Sequence, residues 1–203
     1  MAEVVLAQPR DLPVGPIGRR GAGQWGVGTL IASEAALFAY LLFCYYYTGA
    51  SALPGWLLEP HPKMWPALPN TFILVGSSFV AWYGEKGVES GNRGQALIGL
   101  LGALAMGTIF FLVQLYEWSE KHYGIGTSSY ASLYFTTTGF HMAHVFAGLL
   151  ILAIMALWVG LDFFSPRRRI VVSAGVLYWH FVDVVWLFVF TTYYLTPYLG
   201  FAR

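Results

Sequence analysis

Five long apolar runs, at about residues 25–48, 67–84, 95–118, 130–159 and 171–196, constrain this chain more than any other feature. At about 1.5 Å per residue, each is long enough to cross roughly 30 Å of hydrocarbon as a helix. Lipid offers no partner for a backbone N–H or C=O, so each run must satisfy its own polar groups. The expected fold is therefore an all-α integral membrane protein, a bundle of five transmembrane helices, with the second run the weakest of the five. Composition agrees: 57% of residues are hydrophobic and only 10% are charged, which removes a soluble domain from consideration. A net charge of +1 offers no basic field for nucleic acid, and the single Cys44 excludes disulfide frameworks, CxxC chemistry and thiolate clusters.

The opening stretch "MAEVVLAQPRDLPVGPIGRR" has no apolar core of signal-peptide length, so 1–24 reads as a polar tail and 25–203 as a single membrane domain. "GAGQWG" at 21–26 fits G-x-G-x-x-G, but it follows no strand and leads into a span, so it is not read as a nucleotide site. Placing the N-terminus in the cytoplasm puts Arg10, Arg19, Arg20, Lys86, Arg93, Arg167, Arg168 and Arg169 inside. Only Lys63, Lys121 and Arg203 then lie outside, as the positive-inside rule prefers. Five spans then carry the C-terminus to the periplasmic or extracellular side.

Within the spans, the ionisable residues gather at one depth. Helical rise puts Glu34 and His180 roughly 13 Å and Asp183 roughly 18 Å from the inner surface, with His141 and His144 roughly 16 and 21 Å below the outer one. Charge at such depth is costly and seeks partners inside the bundle. His141 and His144 stand at i and i+3, as do His180 and Asp183, so each pair shares a helix face. The expectation is one intramembrane cluster in which Glu34 bonds His144 or His141, with His180 and Asp183 nearby. Three uses of such a cluster remain open on the residues alone: facing haem ligands, a proton relay or small transporter, and a polar staple that fixes helix packing. Glu117, roughly 33 Å along its helix, is expected at the outer interface, simply solvated. The tryptophans and tyrosines are read as interfacial anchors and packing groups.

Five blocks in order carry a resemblance: S-E-x-x-x-F at Ser33 and Glu34; "LPNTFILVGSS" at 68–78; Q-x-x-E-W at Gln114, Glu117 and Trp118; "TGFHMAHVFAGL" at 138–149; and "YWHFVD" at 178–183. The chain resembles subunit III of the haem-copper cytochrome c oxidases, in a short, five-span bacterial form. The resemblance implies a non-redox accessory subunit that packs on subunit I, assembles with subunit II and other respiratory subunits, binds phospholipid and supports proton uptake, in a bacterial inner membrane. It implies haem and copper in the partner subunits and none bound by this chain, with the oxidase passing electrons from cytochrome c to oxygen. A quinol oxidase or nitric oxide reductase component, or a free-standing transporter, are the alternatives. Glu34 falls on the family's buried membrane glutamate, and the histidines and Asp183 fall on its other intramembrane polar positions; Gln114, Glu117, Arg93 and Arg167 to Arg169 are interface or loop candidates. The sequence also departs from the long forms. Those have two further spans ahead of the Ser33 block, so their lipid cleft is not expected here, and Arg168 and Arg169 stand where they often have histidines, which removes groups that titrate near neutral pH.

Overall fold

The computed structural model describes residues 22–52, 55–58, 62–163 and 170–201. Residues 1–21, with Arg10, Arg19 and Arg20, lie outside the described residues, as do Arg167, Arg168, Arg169 and Arg203. Five helices follow in order: α1 (Ala22–Ala50), α2 (Met64–Ser90), α3 (Arg93–Ser119), α4 (Ser129–Gly160) and α5 (Ile170–Phe190), the last running into a π-helical turn at Thr191–Leu195. No strand occurs among the described residues. Four helices, α1, α3, α4 and α5 with its π-helical turn, are long and apolar enough to cross a membrane. α2 has the length, 27 residues, but not the apolar character. Its Asn70, Thr71, Ser77 and Ser78 turn toward neighbouring helices, where they make hydrogen bonds.

Helices α2, α3, α4 and α5 form a square whose closest packing runs along its four sides, and α1 lies outside it against α4 and α5. The α2–α3 edge is the tightest. It starts at a two-residue turn in which Gly91 takes φ +73°, a conformation costly for residues with a Cβ, and the Asn92 side chain caps α3 by accepting from the Gln95 N–H. Above the turn the two backbones touch: a Cβ built on Gly99 would stand 2.3 Å from Cα of Gly84, and one on Gly87 would stand 2.4 Å from N of Ala96. Small residues at this spacing let van der Waals contact replace the hydrophobic drive that lipid does not supply.

Trp179 of α5 ties the square together. Its indole fills the space left by Gly107 on α3 and Gly148 on α4, where a Cβ would come within 2.6 and 2.7 Å of the ring. Its Nε1–H donates to Ser77 Oγ of α2 at 2.9 Å. About two turns further along α5, Trp186 repeats the arrangement, donating to Thr71 Oγ1 of α2 at 2.9 Å while its ring packs on Phe110 of α3. Both indoles are fully buried, and each N–H has the partner a buried donor needs. α1 attaches through one stripe, Glu34, Phe38, Leu41 and Tyr45, at alternating four- and three-residue steps.

Replacing Gly99 with Leu is expected to force α2 and α3 apart and cost about 3 kcal/mol. Gly28→Leu, at a position with nothing within 4 Å, should leave the thermal unfolding midpoint of the detergent-purified chain unchanged. Equal midpoints for the two variants would show that the α2–α3 contact does not hold the bundle.

Candidate functional site

The ionisable groups inside the bundle do not meet in one cluster. They divide between the two sides of α5, a correction to the sequence expectation. On one side α1 meets α4: Glu34 Oε2 lies 3.1 Å from His144 Nε2, and both side chains are partly buried. The His144 Nδ1–H donates to the Phe140 carbonyl at 2.7 Å, which fixes the ring's orientation. With Nδ1 committed as a donor, the Glu34–His144 contact holds a single proton, either on Nε2 facing a carboxylate or on Glu34 facing a neutral imidazole. The Tyr178 hydroxyl of α5 donates to the His144 carbonyl, so three helices fix the pair.

On the other side, α5 faces α2. Ser78 stands between His180 and Asp183: its hydroxyl donates to Asp183 Oδ2, so at 2.8 Å it must accept from the His180 Nδ1–H. The chain His180–Ser78–Asp183 borders an outward-facing groove of about 520 Å³ whose other walls are apolar, Phe79 and Trp82 on α2, Val184 and Leu187 on α5. Helical rise sets His180 and Asp183 at the depth of Glu34, but azimuth, which rise does not give, turns them to α2 instead. Ser78, a serine in an apolar run, shows no chemistry until a neighbour's acid faces it.

His141 joins neither set. It is fully buried, stacked on the Trp186 ring with centroids 5.0 Å apart and edge-on to Phe38 and Phe110, and neither ring nitrogen has a hydrogen-bond partner among the described residues. Aromatic packing holds the ring in place. Among the described residues no group of three or more His, Cys, Asp or Glu side chains converges as metal ligands would.

At the opposite end of the bundle from the α2–α3 turn, Glu117 overturns the expectation of a solvated carboxylate. It is 6% exposed. Its two oxygens accept from the Tyr194 hydroxyl at 2.9 and 2.8 Å, and Lys121 Nζ lies 3.1 Å away with its stem also buried. Gln114 donates to the same Tyr194 oxygen at 3.3 Å, and the Tyr134 hydroxyl lies 3.3 Å from it. The π-helical turn produces this cluster. By widening the helix it buries three consecutive residues toward three different partners: Thr192 toward Tyr46 of α1, Tyr193 toward Thr137 of α4 and Tyr194 toward Glu117 of α3. Nothing in "TTYYL" announces a π turn. At the other end Arg93 donates to the Gly160 carbonyl, tying the start of α3 to the end of α4.

Beyond Glu117, Tyr123 in the α3–α4 connection is pushed up to about 12 by its own burial and by the Glu117 charge. Because its folded value lies above the ordinary 10, its contribution to stability is complete below about pH 10 and declines as pH rises toward 12. Glu117→Gln removes the charge, so a spectrophotometric tyrosine titration should show Tyr123 ionising at lower pH in that variant. Breaking the buried ion pair is expected to be severe: Glu117→Leu strands Lys121 and should cost about 3–5 kcal/mol, whereas Glu117→Leu with Lys121→Met should recover most of it. Unfolding midpoints of the two variants and the wild type provide the comparison.

The profile of the family described as cytochrome c oxidase subunit III matches residues 19–198. Cytochrome c oxidase subunit 3 of Synechocystis is 36% identical over 178 residues, covering 85% of this chain and 75% of that protein. The Drosophila melanogaster protein of the same name is 32% identical over 179 residues, covering 84% of this chain and 68% of its own length; that of Gallus gallus is 30% identical over 178 residues, with coverage of 84% and 68%. The chain belongs to the cytochrome c oxidase subunit III family.

Proposed function

We propose that this chain is the non-redox accessory subunit of a proton-pumping haem-copper terminal oxidase in a bacterial inner membrane. In this reading it packs on subunit I within a complex that also contains subunit II, and it supports proton uptake and lipid binding while the partners carry the haem and copper. α2 joins the four apolar helices as a fifth span, with the N-terminus cytoplasmic and the C-terminus periplasmic. The antiparallel ties support this: Trp186 bonds Thr71 and Trp179 bonds Ser77, so the sequence of α5 runs against that of α2. Lys86 and Arg93 flank the turn at one end of the α2–α3 pair, and Lys63 and Lys121 lie at the other.

The observation that carries the accessory role is how the imidazoles are used. His144 is turned to Glu34, His180 to Ser78 and His141 to the Trp186 ring, so each is spent on holding one helix to another. The Glu34–His144 pair lies on the α1 side of the square and is only partly buried there, which leaves it within reach of a partner subunit. The electron donor, cytochrome c or quinol, is selected elsewhere in such a complex.

Oxidase complexes with and without this chain are the test, with initial rate and lifetime followed separately. The initial rate of oxygen reduction is expected to survive loss of the chain, and the complex to inactivate faster during turnover, most of all at alkaline pH, where proton supply is scarcest. Immediate and complete loss of oxygen reduction, with subunit I folded and fully haem-loaded, would place this chain in the catalytic machinery and overturn the accessory role.

A further inference from the structure

A cavity of about 440 Å³ opens between the start of α2 and the end of α3. Lys121 in its floor is spent on Glu117. Around it, Lys63, Glu120 and His122 form no ion pair among the described residues. Among the described residues, the cavity therefore presents one cation and one anion that belong to no ion pair. It also holds the rings of Trp65 and Tyr116 and the Tyr123 hydroxyl, which has no hydrogen-bond partner among the described residues.

What lies below the cavity says what kind of molecule fits it. Trp65 is exposed at the kinked start of α2, and Leu68 and Phe72, one turn apart beyond it, are exposed on one face of that helix. Tyr116 heads an exposed stripe through Leu112 and Ile109 on α3, at four- and three-residue steps along one face. A ligand in the cavity thus has polar contacts at the mouth of the bundle and an exposed apolar face on each of the two helices running toward its middle.

We propose that this cavity is a binding site for a zwitterionic phospholipid of the phosphoethanolamine type. Its phosphate lies against Lys63 and His122, its ammonium between Glu120 and the faces of Trp65 and Tyr116, and its acyl chains along the two apolar helix faces. Balanced charge selects against an anionic headgroup, which would leave Glu120 facing a negative group with no compensation. The site rests on the proposed crossing of the membrane by α2, which puts the cavity at the level of the headgroups.

The test uses a phosphatidylethanolamine carrying a photoreactive group in its acyl chain, added to the full chain in detergent, with crosslinks mapped by mass spectrometry. Labelling is expected within 63–72 and 109–123. Unlabelled phosphatidylethanolamine should compete about tenfold better than phosphatidylglycerol of the same chains, as one charge-assisted contact implies. Lys63→Gln should lower labelling several-fold and Glu120→Gln should abolish the preference between the two lipids, while Lys86→Gln, at the other end of the bundle, should change neither. Both cavity positions are exposed, so the variants should fold with unchanged unfolding midpoints. Absence of labelling on the two apolar helix faces, equal competition by both lipids, or indifference to both cavity variants would overturn the site. Glycerophosphoethanolamine competing as well as the intact lipid would overturn the lipid as its occupant. Labelling of Lys63→Cys by an impermeant maleimide from the cytoplasmic side alone would instead show that α2 does not cross as proposed, a failure separate from that of the headgroup preference.

Discussion

The bundle depends on two indoles. Trp179 and Trp186 of α5 each bury a large ring against α3 or α4 and spend their single N–H on a hydroxyl of α2. In lipid, helices gain nothing by hiding apolar surface from water, so association depends on close packing and on hydrogen bonds across helices. These two residues supply both at once. Without the glycines at 107 and 148 the Trp179 ring would not fit, and without Ser77 and Thr71 the indole donors would be left unpaired in a medium with no substitute.

The polar groups of the interior follow from that arrangement. With α5 locked to α2 on one side and facing α4 and α1 on the other, its own polar residues must divide between them. His180 and Asp183 turn toward Ser78 of α2, while the Tyr178 hydroxyl reaches the His144 carbonyl beside Glu34. α1 stands outside the square, held by the stripe from Glu34 to Tyr45, by this carboxylate–imidazole pair and by the tyrosine hydroxyls that reach Thr192 and Thr196. The proposed accessory role draws on that arrangement: a square held by indoles and small residues, with a carboxylate–imidazole pair on its α1 side.

The end of α5 shows a second economy. One π turn directs Thr192, Tyr193 and Tyr194 to α1, α4 and α3 in succession, so five residues at the end of the chain's last helix fasten three others. Glu117 is drawn inward by that fastening. Its carboxylate accepts from Tyr194 and pairs with Lys121, which leaves the cavity beside it to Lys63, Glu120 and His122.

Much of this was legible in the residues themselves. The apolar runs determined the helices and nearly their limits, because lipid forces each segment to close its own backbone hydrogen bonds. The ordered blocks around Glu34, His141 and Asp183 pointed to the family, and the i, i+3 spacings showed which polar side chains share a face. Only the tertiary structure decided which way each face points. Helical rise gives the height of Glu34, Asp183 and Glu117, but the angle at which a helix meets its neighbours is set by small-residue contacts such as Gly84 with Gly99 and by where an indole fits. That angle put Ser78 between His180 and Asp183, parted both from Glu34, and buried a carboxylate whose height alone assigned it to water. A residue's depth is a property of its own segment, while its partners are a property of the other helices.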